Sequence, residues 1–316
     1  MVPMTIGATT ASLPEEGERA QLERLAGRFA DEVRWRWKFC SRHPVEGADG
    51  RPISEHGGWS GILRRVEVGG RRFLLKAWPA MSAVDRLRGN VLEMVGGLNV
   101  RHVPLSRRAR VRHHVERTEE LSDAGLLVPD AYALNNGRVL AIAYLDGFRS
   151  LQEIVQGGEP GLDGTLDLIE RGARTLRRVH DAGTYHGEPG AGNVLVEEGA
   201  DEPRVAFIDF ETCYADGLSL AERQALDLRY FAHQETARLV RYCGPDDVLE
   251  KRSLMERALE AIFPAYGQSP VFDRLARFSR TGPAMFYEAW GTLFLSVEQQ
   301  GVLQGISDGI VEAVCR

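Results

Sequence analysis

His186-Gly187-Glu188-Pro189-Gly190-Ala191-Gly192-Asn193, followed sixteen residues after Asn193 by Asp209-Phe210-Glu211, is the stretch on which the reading of this chain turns. A histidine, a carboxylate two residues later, an asparagine seven later, and then an Asp-Phe pair have the order and spacing of the catalytic loop and metal-binding triplet of a kinase-type phosphotransferase. Phosphoryl transfer asks little covalent chemistry of a protein. It asks that nucleotide phosphates, magnesium and an acceptor hydroxyl be held in line while developing charge is neutralised. The residue types follow from that demand. Glu188 suits the group that orients the acceptor hydroxyl and takes its proton, while Asn193 offers an amide oxygen and Asp209 a carboxylate, both hard ligands for magnesium. Taken singly, each has a plainer reading, because Asp and Asn after strands are common turn and capping residues and a lone histidine is usually structural. Their joint order argues for a nucleotide site.

Working outward, Val194-Leu195-Val196 and Val205-Ala206-Phe207-Ile208 predict short strands beside the two clusters. Far upstream, Ile62 to Val68 alternates partly like a strand, Gly69-Gly70 supplies a two-residue turn, and Phe73-Leu74-Leu75-Lys76-Ala77 predicts a second strand. The hairpin delivers Lys76, a compact point charge suited to phosphate oxygens, although a lone strand lysine is usually a solvated charge. Before it, Gly57-Gly58-Trp59-Ser60-Gly61 stands where a phosphate-covering loop belongs. Gly57, Gly58 and Gly61 would let backbone amides close around an anion, and the same string would also serve as a linker. No Gly-x-x-x-x-Gly-Lys-Ser/Thr motif occurs, which excludes a P-loop NTPase.

Residues 1 to about 14 read as a loose terminus, and Leu22, Leu25, Phe29, Val33 and Trp37 recur at helical spacing. The stretch from about 79 to 112 is rich in arginine, with Arg86, Arg88, Arg101, Arg107, Arg108, Arg110 and Arg112. Its default reading is a solvated basic face. Val115, Thr118 and Leu121 mark a helix ending at Asp123-Ala124-Gly125; Asn135-Asn136-Gly137 is a turn, and Val139 to Leu145 an apolar strand. Helices are expected from Ser150, over 165–182, and throughout 219–316. A strand-rich first half and a helical second half joined near Asp146 predict an α+β, two-lobed architecture: a tail and amphipathic helix over 1–50, a small β-rich lobe over 51–146 and a larger helical lobe over 147–316.

Composition narrows the partners. With 43% hydrophobic residues, 316 residues can bury a substantial core, and a formal net charge of −6 argues against a general nucleic-acid binder. Cys40, Cys213, Cys243 and Cys315 are too scattered for a zinc site or disulfide framework, so a reducing cytosol is the simplest compartment. With no basic-then-apolar leader at the N-terminus and no long apolar run, the expectation is a soluble, cytoplasmic protein.

Gly57-Gly58-Trp59-Ser60-Gly61, Phe73-Leu74-Leu75-Lys76, Ala124-Gly125-Leu126-Leu127-Val128-Pro129, Leu145-Asp146-Gly147, His180, His186-Gly187 and Ile208-Asp209-Phe210-Glu211 together resemble the bacterial lipopolysaccharide kinase family, the InaA and WaaP type, over roughly residues 55–230. The Gly-Gly-Trp-Ser-Gly string is the most family-specific piece; the later motifs are shared across the protein-kinase-like superfamily. The resemblance implies a bilobal protein-kinase-like fold, ATP and magnesium as cofactors, and a sugar hydroxyl of the lipopolysaccharide inner core as acceptor. It implies that Lys76 contacts phosphates, that Glu188 occupies the place of the catalytic carboxylate, and that Asn193 and Asp209 bind metal. Asp227, in Ala225-Leu226-Asp227-Leu228, resembles the aspartate that anchors the catalytic loop from a later helix.

Two departures stand out. The usual catalytic aspartate is here Glu188, one methylene longer, and the helical slot for the lysine's acidic partner holds His114, with Glu116 and Glu119 as alternatives. The expectation is an ATP- and Mg-dependent phosphotransferase acting on a hydroxyl of a lipopolysaccharide-type sugar, a glycolipid or another small alcohol. In that reading the arginine-rich insert would hold anionic headgroups in peripheral contact with the inner membrane surface. A non-catalytic nucleotide-binding scaffold and an atypical protein kinase are the competing readings. About seventeen residues separate Asp209 from Asp227 and no Ala-Pro-Glu follows, which counts against a regulated protein kinase. The oligomeric state is not legible.

Overall fold

The computed structural model describes residues 15–36, 45–46, 52–53, 62–78, 101–102, 106–158, 160–214, 217–243, 248–267, 269–280, 305–306 and 308–314. The chain forms two compact units, one of Met1–Gly89 with Val103–Asp146 and one of Asn90–His102 with Gly147–Arg316.

In the first unit, α1 (Glu16–Arg36) is followed by two short paired strands, β1 (Val45–Glu46) and β2 (Pro52–Ile53), and then by β3 (Ile62–Val68) and β4 (Arg71–Ala77). β3 and β4 form the predicted hairpin, with Val68 opposite Arg71 and Leu63 opposite Lys76. Gly69 and Gly70 turn it with φ of 58° and 76°, the left-handed pair that a two-residue turn matched to strand twist requires. α2 (Arg107–Asp123) starts where the Ser106 hydroxyl accepts a hydrogen bond from the Ala109 N–H at 3.0 Å, so the helix begins well before Val115, the first residue that marks it in the sequence. β6 (Ala131–Leu134) and β7 (Val139–Ala143) complete a four-stranded antiparallel sheet in the order β3-β4-β7-β6. The predicted strand 139–145 thus stops at Ala143, although the Tyr144 N–H still donates to the Arg72 carbonyl at 2.9 Å. β6 was not anticipated; its four residues carry no clear alternation.

Strand alternation divides the sheet's side chains between two covers. On one face Val66, Val68, Phe73, Leu75, Ala77, Leu134, Val139 and Ala141 pack with Leu22, Ala26 and Phe29 of α1, which recur at helical spacing. On the other, Ala131, Leu140 and Ile142 pack with Trp78 and with Val111 of α2. α1 also reaches the sheet's turns, since the Glu23 carboxylate accepts from the Asn135 N–H at 2.7 Å.

The second unit contains β5 (Arg101–His102), β8 (Phe148–Ser150), α3 (Leu151–Gly157), α4 (Gly161–Asp181), a single 3-10 turn (Ala191–Asn193), β9 (Val194–Glu197), β10 (Val205–Phe207), β11 (Cys213–Tyr214), α5 (Leu220–Cys243), α6 (Val248–Tyr266) and α7 (Val271–Arg280). Ser150 opens α3 with a capping box to Glu153, and Gly158 in a left-handed conformation closes it. Helices α4 to α7 pack against one another, with Leu168, Ile169, Ala173, Leu176 and Val179 of α4 turned inward. β10, β9 and β8 form a small sheet and β11 pairs with β5. The chain is therefore α+β, with a strand-rich unit and a helix-rich unit, as the sequence predicts.

Candidate active site

The second unit assembles its polar cluster around one carboxylate. Asp227 of α5 is completely buried. Its Oδ1 accepts from the Gly187 N–H at 2.8 Å and from the Tyr214 hydroxyl at 2.7 Å; its Oδ2 accepts from the His186 N–H and from His180 Nε2 at 3.2 Å. A buried carboxylate is tolerable only with such donors. Burial raises the Asp227 carboxyl, but the hydrogen bond and charge interaction with His180, and those with His186, outweigh it and hold the group below its ordinary value. His180 is itself fixed by the Tyr266 hydroxyl, 2.6 Å from Nδ1. The anchoring role implied for Asp227 matches this geometry.

The loop it anchors is shaped residue by residue. Gly187 has φ 95°, and a Cβ there would lie 2.3 Å from the Thr212 carbonyl oxygen, so this position accepts no side chain. The His186 ring packs against Phe207 and Phe210, with centroids 4.9 and 4.7 Å away, and its Nδ1 accepts from the Glu188 N–H at 3.1 Å. Burial pushes the imidazole down to about 4, against smaller opposing effects of Asp227, Asp209, Glu188 and the Ile208 backbone. His186 is therefore a neutral shaping residue rather than an acid or base near pH 7.

Glu188 is half-buried and gripped at both carboxylate oxygens: the Thr212 hydroxyl donates to Oε2 at 3.0 Å and the Tyr230 hydroxyl to Oε1 at 3.2 Å. Its carbonyl accepts from the Gly190 N–H at 2.8 Å and from Asn193 Nδ2 at 2.9 Å. Because the amide nitrogen of Asn193 is engaged there, Oδ1 is the side-chain atom of Asn193 that a metal ion could take. The β9–β10 ladder pairs Val194 with Phe207, and one step further the Ile208 N–H donates to the Asn193 carbonyl at 3.0 Å. Asn193 and Asp209 thus stand at the same end of one hairpin. Asp209 has φ 69°, rare outside glycine and most accessible to Asp and Asn, a departure of the kind that clusters at functional sites.

Glu188, Asn193 and Asp209 are thereby brought together in the second unit. Thr212, Tyr214 and Tyr230 were missed in the sequence. Tyr230 had a usable signal, lying three residues after Asp227 on the same helix face; Thr212 and Tyr214 had none, because their roles depend on how the chain returns past Asp209.

Lys76 belongs to the first unit. It is 4% exposed, sits on the α2-covered face opposite Leu63 and Leu140, and carries Nζ 5.5 Å from the Trp78 ring centroid. Of its three candidate partners, Glu116 lies at the surface 3.8 Å from Arg112, Glu119 is exposed, and His114 is buried. Gly57, Gly58 and Gly61 lie outside the described residues, as do Arg86 and Arg88. Apart from Arg101 in β5, the described part of the basic stretch opens α2, where Arg112 faces Glu116 and Arg110 is buried, and further along the helix Arg117 meets Glu120 at 2.9 Å. Among the described residues no group of three or more His, Cys, Asp and Glu could hold a metal. One carboxylate and one amide oxygen nevertheless fit magnesium, a hard ion that takes few protein ligands and completes its shell with phosphates and water.

The family model for "Lipopolysaccharide kinase (Kdo/WaaP) family" matches residues 94–234. No curated protein matches the chain. Solved structures similar to it include WaaP in complex with acyl carrier protein, 17% identical over 87% of this chain and 97% of that one with a TM-score of 0.44. A glucosamine kinase in complex with glucosamine, ADP and inorganic phosphate is 16% identical over 62% of this chain and 71% of its own, with a TM-score of 0.40. The Rio2 kinase–ADP/Mg2+–phosphoaspartate complex from Chaetomium thermophilum is 12% identical over 81% and 69%, with a TM-score of 0.37. The stretch similar to that family, 94–234, holds the whole assembly from His186 to Tyr230, and the reaction class of the chain is that of a kinase.

Proposed function

We propose that the chain is an ATP- and Mg-dependent phosphotransferase that moves the γ-phosphoryl group to a hydroxyl of a lipopolysaccharide-type sugar or another small alcohol. The observation that carries this reading is the single hydrogen-bonded network in which Asp227 holds the loop, the loop holds Glu188 and Asn193, and the β9–β10 ladder sets Asp209 beside Asn193. Asn193 Oδ1 and the Asp209 carboxylate are the residues that would hold magnesium, which when bound neutralises phosphate charge. Lys76 is the cation proposed for the phosphate oxygens, and the glycines at 57, 58 and 61, outside the described residues, are the sequence's candidates for the phosphate-covering loop.

In the transfer, the acceptor oxygen bonds to the γ-phosphorus as the bond to the bridging oxygen breaks and ADP leaves. The acceptor's proton passes to the Glu188 carboxylate. The hydroxyl donors of Thr212 and Tyr230 hold that carboxylate in place for it. The sugar class rests on the family match alone. No helix among the described residues is long and apolar enough to cross a membrane; peripheral contact with the membrane surface is the proposed access to a glycolipid acceptor.

Thermal shift with Mg-ATP should show nucleotide binding by wild type and by Glu188→Gln alike. Phosphate release from Mg-ATP should fall on the order of a hundredfold in the variant. Equal turnover in both would remove Glu188 as the base, and no shift with nucleotide would remove the kinase reading of this site.

A further inference from the structure

One face of α5 reads the catalytic loop in sequence order. Asp227, Tyr230, Gln234 and Glu235 fall at positions i, i+3, i+7 and i+8, which share a helix face. Asp227 takes the N–H groups of His186 and Gly187, the Tyr230 hydroxyl takes Glu188 Oε1, and the Tyr230 ring lies against Gly190, 3.3 Å from where a Cβ would stand. Gln234 packs on Gly190 as well, 3.5 Å from that position. The rigid helix thus fixes the loop's backbone and, through one hydroxyl, the side chain that departs from the family's usual aspartate.

We propose that Tyr230 is a positioning residue for Glu188, and that the two form a matched pair in which the tyrosine hydroxyl compensates for the longer acid. The proposal rests on the reading of Glu188 as the base. A glutamate has one more rotatable bond than an aspartate, and its freedom costs more to fix. Here Tyr230 pins one oxygen from α5 while Thr212 pins the other from the chain beyond Asp209, at 3.2 and 3.0 Å. With both oxygens held, the carboxylate has a single placement. An aspartate at 188 would fall about 1.5 Å short, one carbon–carbon bond, and would lose both donors.

The test uses the full chain with Mg-ATP as the probe and phosphate release as the readout. Tyr230→Phe should lower kcat roughly ten- to a hundredfold, the worth of a hydrogen bond to a charged group, with the KM for ATP within about twofold of wild type. Glu188→Asp should lower kcat by a similar factor, since a misplacement of about 1 Å is that costly. In a Glu188→Gln background Tyr230→Phe should add less than about twofold, because its effect passes through the carboxylate. Wild-type kcat in Tyr230→Phe, a full additional loss on top of Glu188→Gln, or an undiminished Glu188→Asp would each overturn the pairing. Those results differ from the failure of the underlying reading, which would appear as Glu188→Gln turning over like wild type.

Discussion

The first unit and the second place their functional side chains by opposite means. The strand that carries Lys76 is held by dispersed apolar packing, between α1 on one face of the sheet and α2 on the other. Glu188 and Asn193 are held by concentrated polar bonding, in which one buried aspartate satisfies four donors and every later contact depends on the loop it fixes. Apolar packing fails gradually because many contacts share the load, whereas a buried polar network fails sharply because each lost partner leaves others unsatisfied.

The largest expected effect follows from the polar side. Asp227→Ala leaves the donors of His180, His186, Gly187 and Tyr214 buried without their acceptor, and should cost about 3–5 kcal/mol together with all turnover. Amide exchange should show protection lost across 186–193 and kept in the β4–β7 ladder; a uniform loss would erase the contrast. Phe29→Ala, at the centre of the α1 face, should cost about 3 kcal/mol, toward the low end for a buried phenylalanine because the Arg64 guanidinium over its ring can settle into the space. Here β4 should lose protection while folded molecules keep their loop.

A third test uses pH. Burial pushes Glu235 up to about 8, against smaller lowering effects of Arg238 and the Ala191 backbone, so the folded chain keeps a proton that the unfolded chain has released above its ordinary 4.5. That contribution is full below 4.5 and is lost as pH rises to 8. His186, pushed down to about 4 from 6.5, has the opposite sense: its contribution is present above 6.5 and lost as pH falls toward 4. Above 7 the Glu235 slope dominates of these two, so the chain should be less stable to denaturation at pH 8 than at pH 7 by about 1 kcal/mol, and Glu235→Gln should remove most of the difference. The smallest effect is Ser106→Ala, which removes the α2 cap and should cost about 1 kcal/mol with the change confined to the first unit.

Legibility in the sequence follows the same divide. The β3–β4 hairpin was plain, because alternation, two glycines and a second apolar run are all local signals. The α1 cover was half plain: Leu22 and Phe29 announced a buried stripe without saying what it buries. In the second unit His186, Glu188, Asn193 and Asp209 were legible as a spacing, since the chemistry fixes the distances along the loop. The grip on Glu188 was less so: Thr212 reaches it from 24 residues away with no local pattern to mark its hydroxyl, and Tyr230 from 42 residues away with only its place one turn after Asp227 as a signal. The departure that looked like a defect, glutamate for aspartate, acquired its explanation only from those two distant groups.

The pairing of β11 with β5 bears on how the molecule can be divided. Cys213 stands opposite His102 and Tyr214 opposite Arg101, so the strand whose tyrosine reaches Asp227 is completed by residues that precede α2. Residues 90–102 belong with the second unit although the chain on both sides of them belongs with the first. The backbone passes from one unit to the other three times, and a single cut at Gly147 would not release a whole module. A fragment cloned from there would carry the anchor and the loop but leave β11 with an open edge, inviting self-association in place of its natural partner. Any grafting, domain exchange or permutation of this chain has to carry 90–102 with the helical part.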